Sequence, residues 1–146
     1  MLEVPYLCDA DASVPRRGRR GDAGYDLCST QDLTLSPFER ALIPTGIHIE
    51  LPEGYAAFVM PRSGLAINKG LSLVNSPGLI DSNYRGEIKA IAINLDPKEP
   101  ITIKKGDRVA QLVIQKVEDV SFVTSKKLAD SERGEKGFGS SGISSL

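Results

Sequence analysis

Tryptophan is absent from the sequence, and only four tyrosines and four phenylalanines occur in 146 residues. Any core must therefore consist of aliphatic side chains. No apolar run approaches the ~18 residues of a membrane-spanning helix, and the first residues lack the pattern of a signal peptide. The net charge of -1 provides no field that would attract nucleic acid or an anionic membrane. We therefore expect a cytoplasmic protein without nucleic acid or membrane as partner.

Cysteine and histidine are too few for a disulfide framework or a zinc site. Cys8 and Cys28 are not spaced as metal ligands, and His48 is the single histidine. Two unpaired thiols are typical of a reducing compartment. Four arginines also cluster near the start, at positions 16, 17, 19 and 20. This cluster fits either a solvated loop or a surface that steers phosphates.

What the sequence does contain is a series of short segments rich in β-branched residues, separated by glycine and proline. Every second residue is apolar in 48–51 and 101–104, which indicates half-buried strands. The predicted strands are 41–43, 46–51, 56–60, 71–74, 87–94, 101–103 and 110–116. This pattern is typical of an all-β sandwich or jelly roll.

One short helix is predicted at Ser63–Lys69, with Ser63 as its cap and Gly70 as its terminator. The strand pattern fades after position 116, and the last fourteen residues are rich in glycine and serine. We expect a folded core at residues 1–116 and a C-terminal extension at 117–146 that ends in a flexible arm.

Five stretches combine residues suited to chemistry. The first, Asp22-Ala-Gly-Tyr-Asp26-Leu, places two acidic residues about a tight turn, where they are either capping groups or ligands. The second, Pro61-Arg62-Ser63-Gly64-Leu65-Ala66, follows a strand and offers a guanidinium and helix N–H groups to phosphate. A capped surface helix would explain the second stretch equally well.

The third stretch is Asn75-Ser-Pro-Gly-Leu79-Ile80-Asp81-Ser-Asn-Tyr84-Arg-Gly-Glu-Ile. The carboxylate of Asp81 could orient a water as a general base. The alternative is a β-hairpin in which Asp81 only forms the turn.

The fourth stretch, Lys105-Gly-Asp-Arg-Val-Ala-Gln111, contains a turn followed by a strand and is mostly structural by itself. The fifth runs from Arg133 to Gly142 and is rich in glycine, whose N–H groups can wrap phosphates. It lacks the spacing of a P-loop and follows no strand, so a disordered tail remains open.

Taken together and in this order, the five stretches resemble the five motifs of the homotrimeric dUTPase family, over residues 22–142. The resemblance implies a jelly-roll or distorted β-barrel subunit and a homotrimer with active sites at subunit interfaces. It implies a C-terminal arm that closes over the substrate. The implied reaction is Mg²⁺-dependent hydrolysis of dUTP to dUMP and pyrophosphate by water attack on the α-phosphorus. That reaction keeps uracil out of DNA and supplies dUMP for thymidylate synthesis.

The resemblance also implies a role for each matching residue. Asp81 would activate the water, and Tyr84 would stack on the deoxyribose and exclude a 2′-hydroxyl. The implied deoxyuridine contacts are Asn75, Leu79, Ile80, Asp81 and Lys89, with Phe138 over the uracil. The implied phosphate contacts are Arg62, Ser63, Gly64, Gln111, Arg133, Gly139 and Ser140. Mg²⁺ would be held mainly by the phosphates, with Asp26 and Gln111 acting only through water.

Two other functions compete with this interpretation. A dCTP deaminase, or its bifunctional form, shares the fold, but the complete third motif and the arm argue against it. A protein of this fold whose main role is binding a regulatory partner is disfavoured by the intact catalytic motifs.

Overall fold

The structure is a computed structural model that describes residues 1–137, in which the chain forms ten strands and one helix. The strands are β1 (Tyr6–Cys8), β2 (Tyr25–Cys28), β3 (Leu33–Leu35), β4 (Arg40–Ile49), β5 (Tyr55–Met60), β6 (Leu71–Leu73), β7 (Gly78–Ile80), β8 (Ile88–Asn94), β9 (Ile101–Ile103) and β10 (Arg108–Lys116). The helix α1 (Ser63–Lys69) lies between β5 and β6.

The strands form two four-stranded sheets and one two-stranded sheet. Their orders are β1-β4-β8-β6, β2-β10-β5-β7 and β3-β9, and every pairing is antiparallel. The buried apolar residues of the described chain are all Ile, Leu, Val or Ala, so an aliphatic core replaces the missing aromatic residues. The predicted all-β, jelly-roll-like fold is confirmed.

The longest strand, β4, joins two segments that the sequence presents as separate strands. The pairing of β4 with β8 shifts register between Pro44 and Ile47, and Gly46 has a φ of 65°. Proline offers no N–H to the ladder, and only glycine adopts such a φ freely, so the chain bulges here without leaving the sheet. The Thr45 hydroxyl donates to the carbonyl of Ile88 at 2.5 Å, which ties the bulge to β8.

Four short strands were not predicted from the sequence: β1, β2, β3 and β7. Each has three or four residues, which is too short for an alternating pattern to stand out. They form because longer neighbours provide their hydrogen-bond partners, as β5 does for β7.

The helix has the predicted bounds, and Gly70 ends it in the left-handed conformation. The prediction that Ser63 caps the helix is wrong. Arg62 occupies the cap position with an extended backbone, at φ -101° and ψ 126°, and makes no side-chain cap hydrogen bond. Because the chain remains extended for one residue beyond Pro61, Ser63 becomes the first helical residue.

Residues 117–137 follow β10 and contain neither helix nor strand. All of them are exposed, including the apolar side chains of Val120, Phe122, Val123 and Leu128. Within the described residues, no helix has the length and apolar character needed to cross a membrane.

Candidate active site

One cavity of about 620 Å³ opens beside the sheet β2-β10-β5-β7, and we call it the arginine cavity. It is lined by Gly18, Arg19, Asp22, Ala23, Gly24, Asp26, Arg62, Ser63, Gly64, Arg108, Gln111 and Val113. Sheet register explains why motifs distant in sequence meet here, since Gln111 of β10 pairs with Asp26 of β2 on one side and Met60 of β5 on the other. Three arginines and several small residues make this cavity suited to an anion.

Asp26 organises two of the arginines. One carboxylate oxygen lies 3.0 Å from Nε of Arg62, and the other lies 3.1 Å from Nη1 of Arg108. Arg62 also donates from Nη1 to the carbonyl of Arg108 at 2.9 Å. Two cations share one carboxylate, so the cluster retains a net positive charge. The guanidiniums are thereby held in place before any ligand arrives.

Gln111 lies between two of the motifs. Its Nε2 donates to the carbonyl of Pro61 at 2.9 Å, which connects β10 to the segment that carries Arg62. Its Oε1 occupies the space next to Gly24, where a Cβ would overlap it. The glycine of the first motif is therefore required for the position of the Gln111 amide, a role that the sequence did not reveal.

The arginines clustered near the start of the chain do not all lie at the arginine cavity. Arg19 lines the arginine cavity, and its backbone N–H is bound by Asp22 at 2.7 Å. The guanidinium of Arg17 lies 4.7 Å from the centre of the Tyr25 ring, a cation–π distance.

A second cavity, of about 470 Å³, opens beside β7 and β8, and we call it the hairpin cavity. It is lined by Leu42, Leu79, Ile80, Asp81, Tyr84, Glu87, Lys89 and Ile91. Five of these residues are predicted site residues, four of them from the third stretch and the fifth, Lys89, from just after it. Four aliphatic side chains beside four polar or charged ones suit a base and a sugar.

The turn after β7 places Asp81 and Tyr84 on the same cavity. The backbone N–H of Tyr84 donates to the carbonyl of Asp81 at 3.1 Å, and the Tyr84 hydroxyl donates to the carbonyl of Glu87 at 2.9 Å. The ring lies against Gly86, where a Cβ would overlap it. The aromatic ring is therefore fixed at both its backbone and its hydroxyl.

Glu87 is a cavity residue that the sequence reasoning missed. Its Oε1 accepts the N–H of Gly46 at 2.9 Å, and its Oε2 lies 3.2 Å from Nζ of Lys89. Burial acts to raise the pKa of Glu87, but the hydrogen bond from Gly46 and the charges of Lys89 and His48 outweigh burial, so its pKa lies below the ordinary value. The only sequence signal was its place within the third stretch, where Glu87 directly precedes Ile88.

The two cavities share no lining residue, so no single cavity of the subunit contains all the predicted site residues. Asn75 is exposed in the turn before β7 and lines neither cavity. Arg133 also lines neither, and its Nε donates to the carbonyl of Lys136 at 2.7 Å. Phe138, Gly139 and Ser140 lie outside the described residues.

Within residues 1–137, no three His, Cys, Asp or Glu side chains are grouped closely enough to hold a metal ion. Asp26 has both carboxylate oxygens bound to arginines, and only 20% of its side chain is exposed. A magnesium ion held by phosphates, with Asp26 reached through water, fits this arrangement better than direct coordination.

Comparison with known proteins gives consistent matches. The family described as dUTPase matches residues 10–142. The deoxyuridine 5'-triphosphate nucleotidohydrolase of Streptomyces griseus subsp. griseus is 54% identical over 136 residues, covering 93% of this chain and 77% of the relative. The Staphylococcus bacteriophage 80alpha dUTPase with dUpNHpp has a TM-score of 0.89 and 30% identity, covering 98% of this chain and 100% of that one. A mutant dUTPase of phage phi11 of S. aureus, described with a structural Mg(II) ion, has a TM-score of 0.79 and 25% identity, covering 86% and 98%.

Proposed function

The chain belongs to the dUTPase family and hydrolyses dUTP to dUMP and pyrophosphate, and we propose that the two cavities divide the substrate between them. The hairpin cavity takes the deoxyuridine, and the arginine cavity takes the triphosphate. One observation supports this division above all. The aliphatic and aromatic residues of the third motif line one cavity, and the arginines and glycines of the first, second and fourth motifs line the other.

Asp81 is the proposed catalytic residue. Its carboxylate accepts a proton from a water molecule as the water oxygen attacks the α-phosphorus. The bond between the α-phosphorus and the oxygen that bridges to the β-phosphorus then breaks, and pyrophosphate leaves. Because hydrolysis of this kind depends mainly on positioning and charge neutralisation, one oriented carboxylate beside a cationic cavity is sufficient chemistry.

The hairpin cavity supplies the proposed nucleoside contacts. Tyr84 stacks on the deoxyribose and leaves no room for a 2′-hydroxyl, while the backbone at Leu79 and Ile80 binds the uracil edge. Asn75 and Lys89 lie along the same hairpin. Since the ammonium of Lys89 is paired with Glu87, its contact with the nucleoside is through the backbone. A site that hydrogen-bonds its base rejects other bases by leaving buried groups unpaired.

The arginine cavity supplies the proposed phosphate contacts, through Arg62, Ser63, Gly64 and Gln111. Bound Mg²⁺ would neutralise charge on the phosphates, and Asp26 and Gln111 would contact it only through water. The arm completes the site, with Arg133 on the γ-phosphate, Phe138 over the uracil, and Gly139 and Ser140 around the phosphates. Residues 1–116 form the core in this proposal, and residues 117–146 form the extension that carries the arm.

A homotrimer with active sites at its subunit interfaces is the proposed assembly. Within one subunit the proposed triphosphate and nucleoside cavities share no lining residue, which supports a site completed by the complementary cavity of a neighbouring subunit. The extension provides a second argument, because Phe122 and Val123 are 97% and 84% exposed and have no core of their own to cover them. A partner subunit would remove this apolar surface from water. We place the reaction in the cytoplasm, where dUTP arises.

Pyrophosphate release from dUTP and magnesium tests the catalytic assignment. We expect Asp81→Asn to lower kcat about 10²–10⁴-fold, as loss of a general base does, while dUpNHpp still binds. Asp96→Asn is the control, since Asp96 is also a turn carboxylate but lines neither cavity. Full activity of Asp81→Asn would refute the role of Asp81, and formation of dUMP from dCTP would revive the deaminase alternative.

A further inference from the structure

Glu87 connects the bulge of β4 to the wall of the hairpin cavity. Its carboxylate binds the N–H of Gly46, a residue that is bulged out of the regular β4–β8 ladder. The same residue receives the Tyr84 hydroxyl on its backbone carbonyl. A chain of hydrogen bonds therefore runs from the bulge, through Glu87, to the aromatic ring.

Few other contacts could hold this ring in the described chain. The Tyr84 side chain is at the surface, since the residue is 43% exposed, and its hydroxyl has only the carbonyl of Glu87 as a hydrogen-bond partner among residues 1–137. The carbonyl stays in place only if the backbone at Glu87 does. The two carboxylate contacts, to Gly46 and to Lys89, add to the β4–β8 pairing at Ile88 in holding that backbone at the start of β8.

We propose that Glu87 is a positioning residue that sets the discrimination between deoxyribose and ribose, by fixing the Tyr84 ring through the bulge at Gly46. This inference rests on the proposed function, in which Tyr84 closes the space that a 2′-hydroxyl would need. Glu87 lines the hairpin cavity, but the role we assign to it is to hold the Tyr84 ring and not to contact the reacting atoms. Its effect on specificity passes entirely through the position of Tyr84.

Hydrolysis of dUTP and of UTP by the full-length protein tests the inference, with kcat/KM measured for each. In Glu87→Ala we expect the dUTP-to-UTP ratio of kcat/KM to fall about tenfold, the effect of one charge-assisted hydrogen bond. In Glu87→Gln the amide oxygen still accepts the N–H of Gly46, so we expect a ratio within about twofold of the wild type. A purely structural role would change stability or overall rate and leave the ratio alone.

Asp32→Ala is the matched control. Asp32 also accepts one backbone N–H, from Lys105 at 2.8 Å, and pairs with one ammonium, from Lys104 at 3.3 Å. It lines neither cavity, so its removal should leave the ratio unchanged.

A double-mutant cycle shows whether the effect passes through the tyrosine. Tyr84→Phe removes the hydroxyl that reaches Glu87, so in that background Glu87→Ala should lower the ratio by much less than it does alone. If Glu87→Ala proves too unstable to purify, Glu87→Asp replaces it, because a side chain one methylene shorter cannot hold both Gly46 and Lys89.

An unchanged ratio in a folded Glu87→Ala or Glu87→Asp protein overturns the inference, and so does full additivity with Tyr84→Phe. Failure of the proposed function would give a different result from failure of this inference. In that case the wild-type protein itself would show no preference for dUTP over UTP.

Discussion

Substitution of Gly24 tests whether the position of the Gln111 amide in the arginine cavity depends on the absence of a side chain at residue 24. A Cβ at position 24 would lie 3.0 Å from Cδ and 3.3 Å from Cβ of Gln111, and would overlap Oε1. In Gly24→Ala the Gln111 amide must therefore rotate away and give up its 2.9 Å hydrogen bond to Pro61. Since the displaced atoms are mostly the free end of a flexible side chain, we expect a stability loss of only about 1 kcal/mol, the worth of one neutral hydrogen bond.

Activity should suffer more than stability, because the amide leaves the cavity that we propose takes the phosphates. We expect kcat/KM for dUTP to fall about tenfold or more, as for the loss of one well-placed polar contact. The assay is pyrophosphate release in Gly24→Ala, Gln111→Ala and the double variant. Once Gln111 is truncated the clash is gone, so Gly24→Ala should add almost nothing.

Two results would refute this reasoning. Wild-type activity in Gly24→Ala would show that the amide position is unimportant. Equal losses from Gly24→Ala in the presence and absence of the Gln111 side chain would show that the glycine acts through its backbone. Thermal unfolding of each variant separates either result from a general loss of folded protein.

Three further predictions concern other parts of the molecule. Truncation before Arg133 should leave a folded trimer by light scattering but severely reduce turnover, and unchanged turnover would contradict the role of the arm. Asp26→Asn should weaken dUpNHpp binding by about tenfold in titration calorimetry, because Arg62 and Arg108 then lack the charge that orients them; tighter binding would show that Asp26 mainly repels the phosphates. The lowered pKa of Glu87 means that its ionised form stabilises the folded state above its ordinary value of 4.5, and that this contribution is lost as pH falls through the lower folded-state pKa. Chemical unfolding of Glu87→Gln should accordingly depend less on pH in that acidic range, and parallel pH profiles would contradict the assignment.

Local patterns predicted much of the fold. The helix Ser63–Lys69 was predicted with its bounds, since a glycine in the left-handed conformation marks its end clearly. The alternation of apolar residues likewise revealed β9 and the end of β4, and β-branched residues revealed β8. The short strands β1 and β7 were missed because they depend on pairing with β4 and β5 rather than on their own composition. The bulge divided β4 into two apparent strands because Pro44 and Gly46 look like strand breakers.

The candidate site was predictable as a set of residues but not as an arrangement. The third stretch identified Asp81 and Tyr84, which do lie on one cavity. The resemblance implied that different subunits complete a site, but the separation of the two cavities within one subunit became visible only in three dimensions. Glu87 and Gly24 were missed as functional residues for the same reason, since their partners Gly46 and Gln111 are distant in sequence.

The separation of the two cavities also has a consequence for mixtures of defective subunits. In the proposed trimer, a subunit that lacks Asp81 still presents an intact arginine cavity, and a subunit that lacks Arg62 still presents an intact hairpin cavity. If these two inactive chains assemble at random in equal amounts, about one quarter of the sites will combine an intact hairpin cavity with an intact arginine cavity. Two proteins that are each inactive would thus restore activity when refolded together, and one such defective subunit in an otherwise normal trimer would disable only one of the three sites.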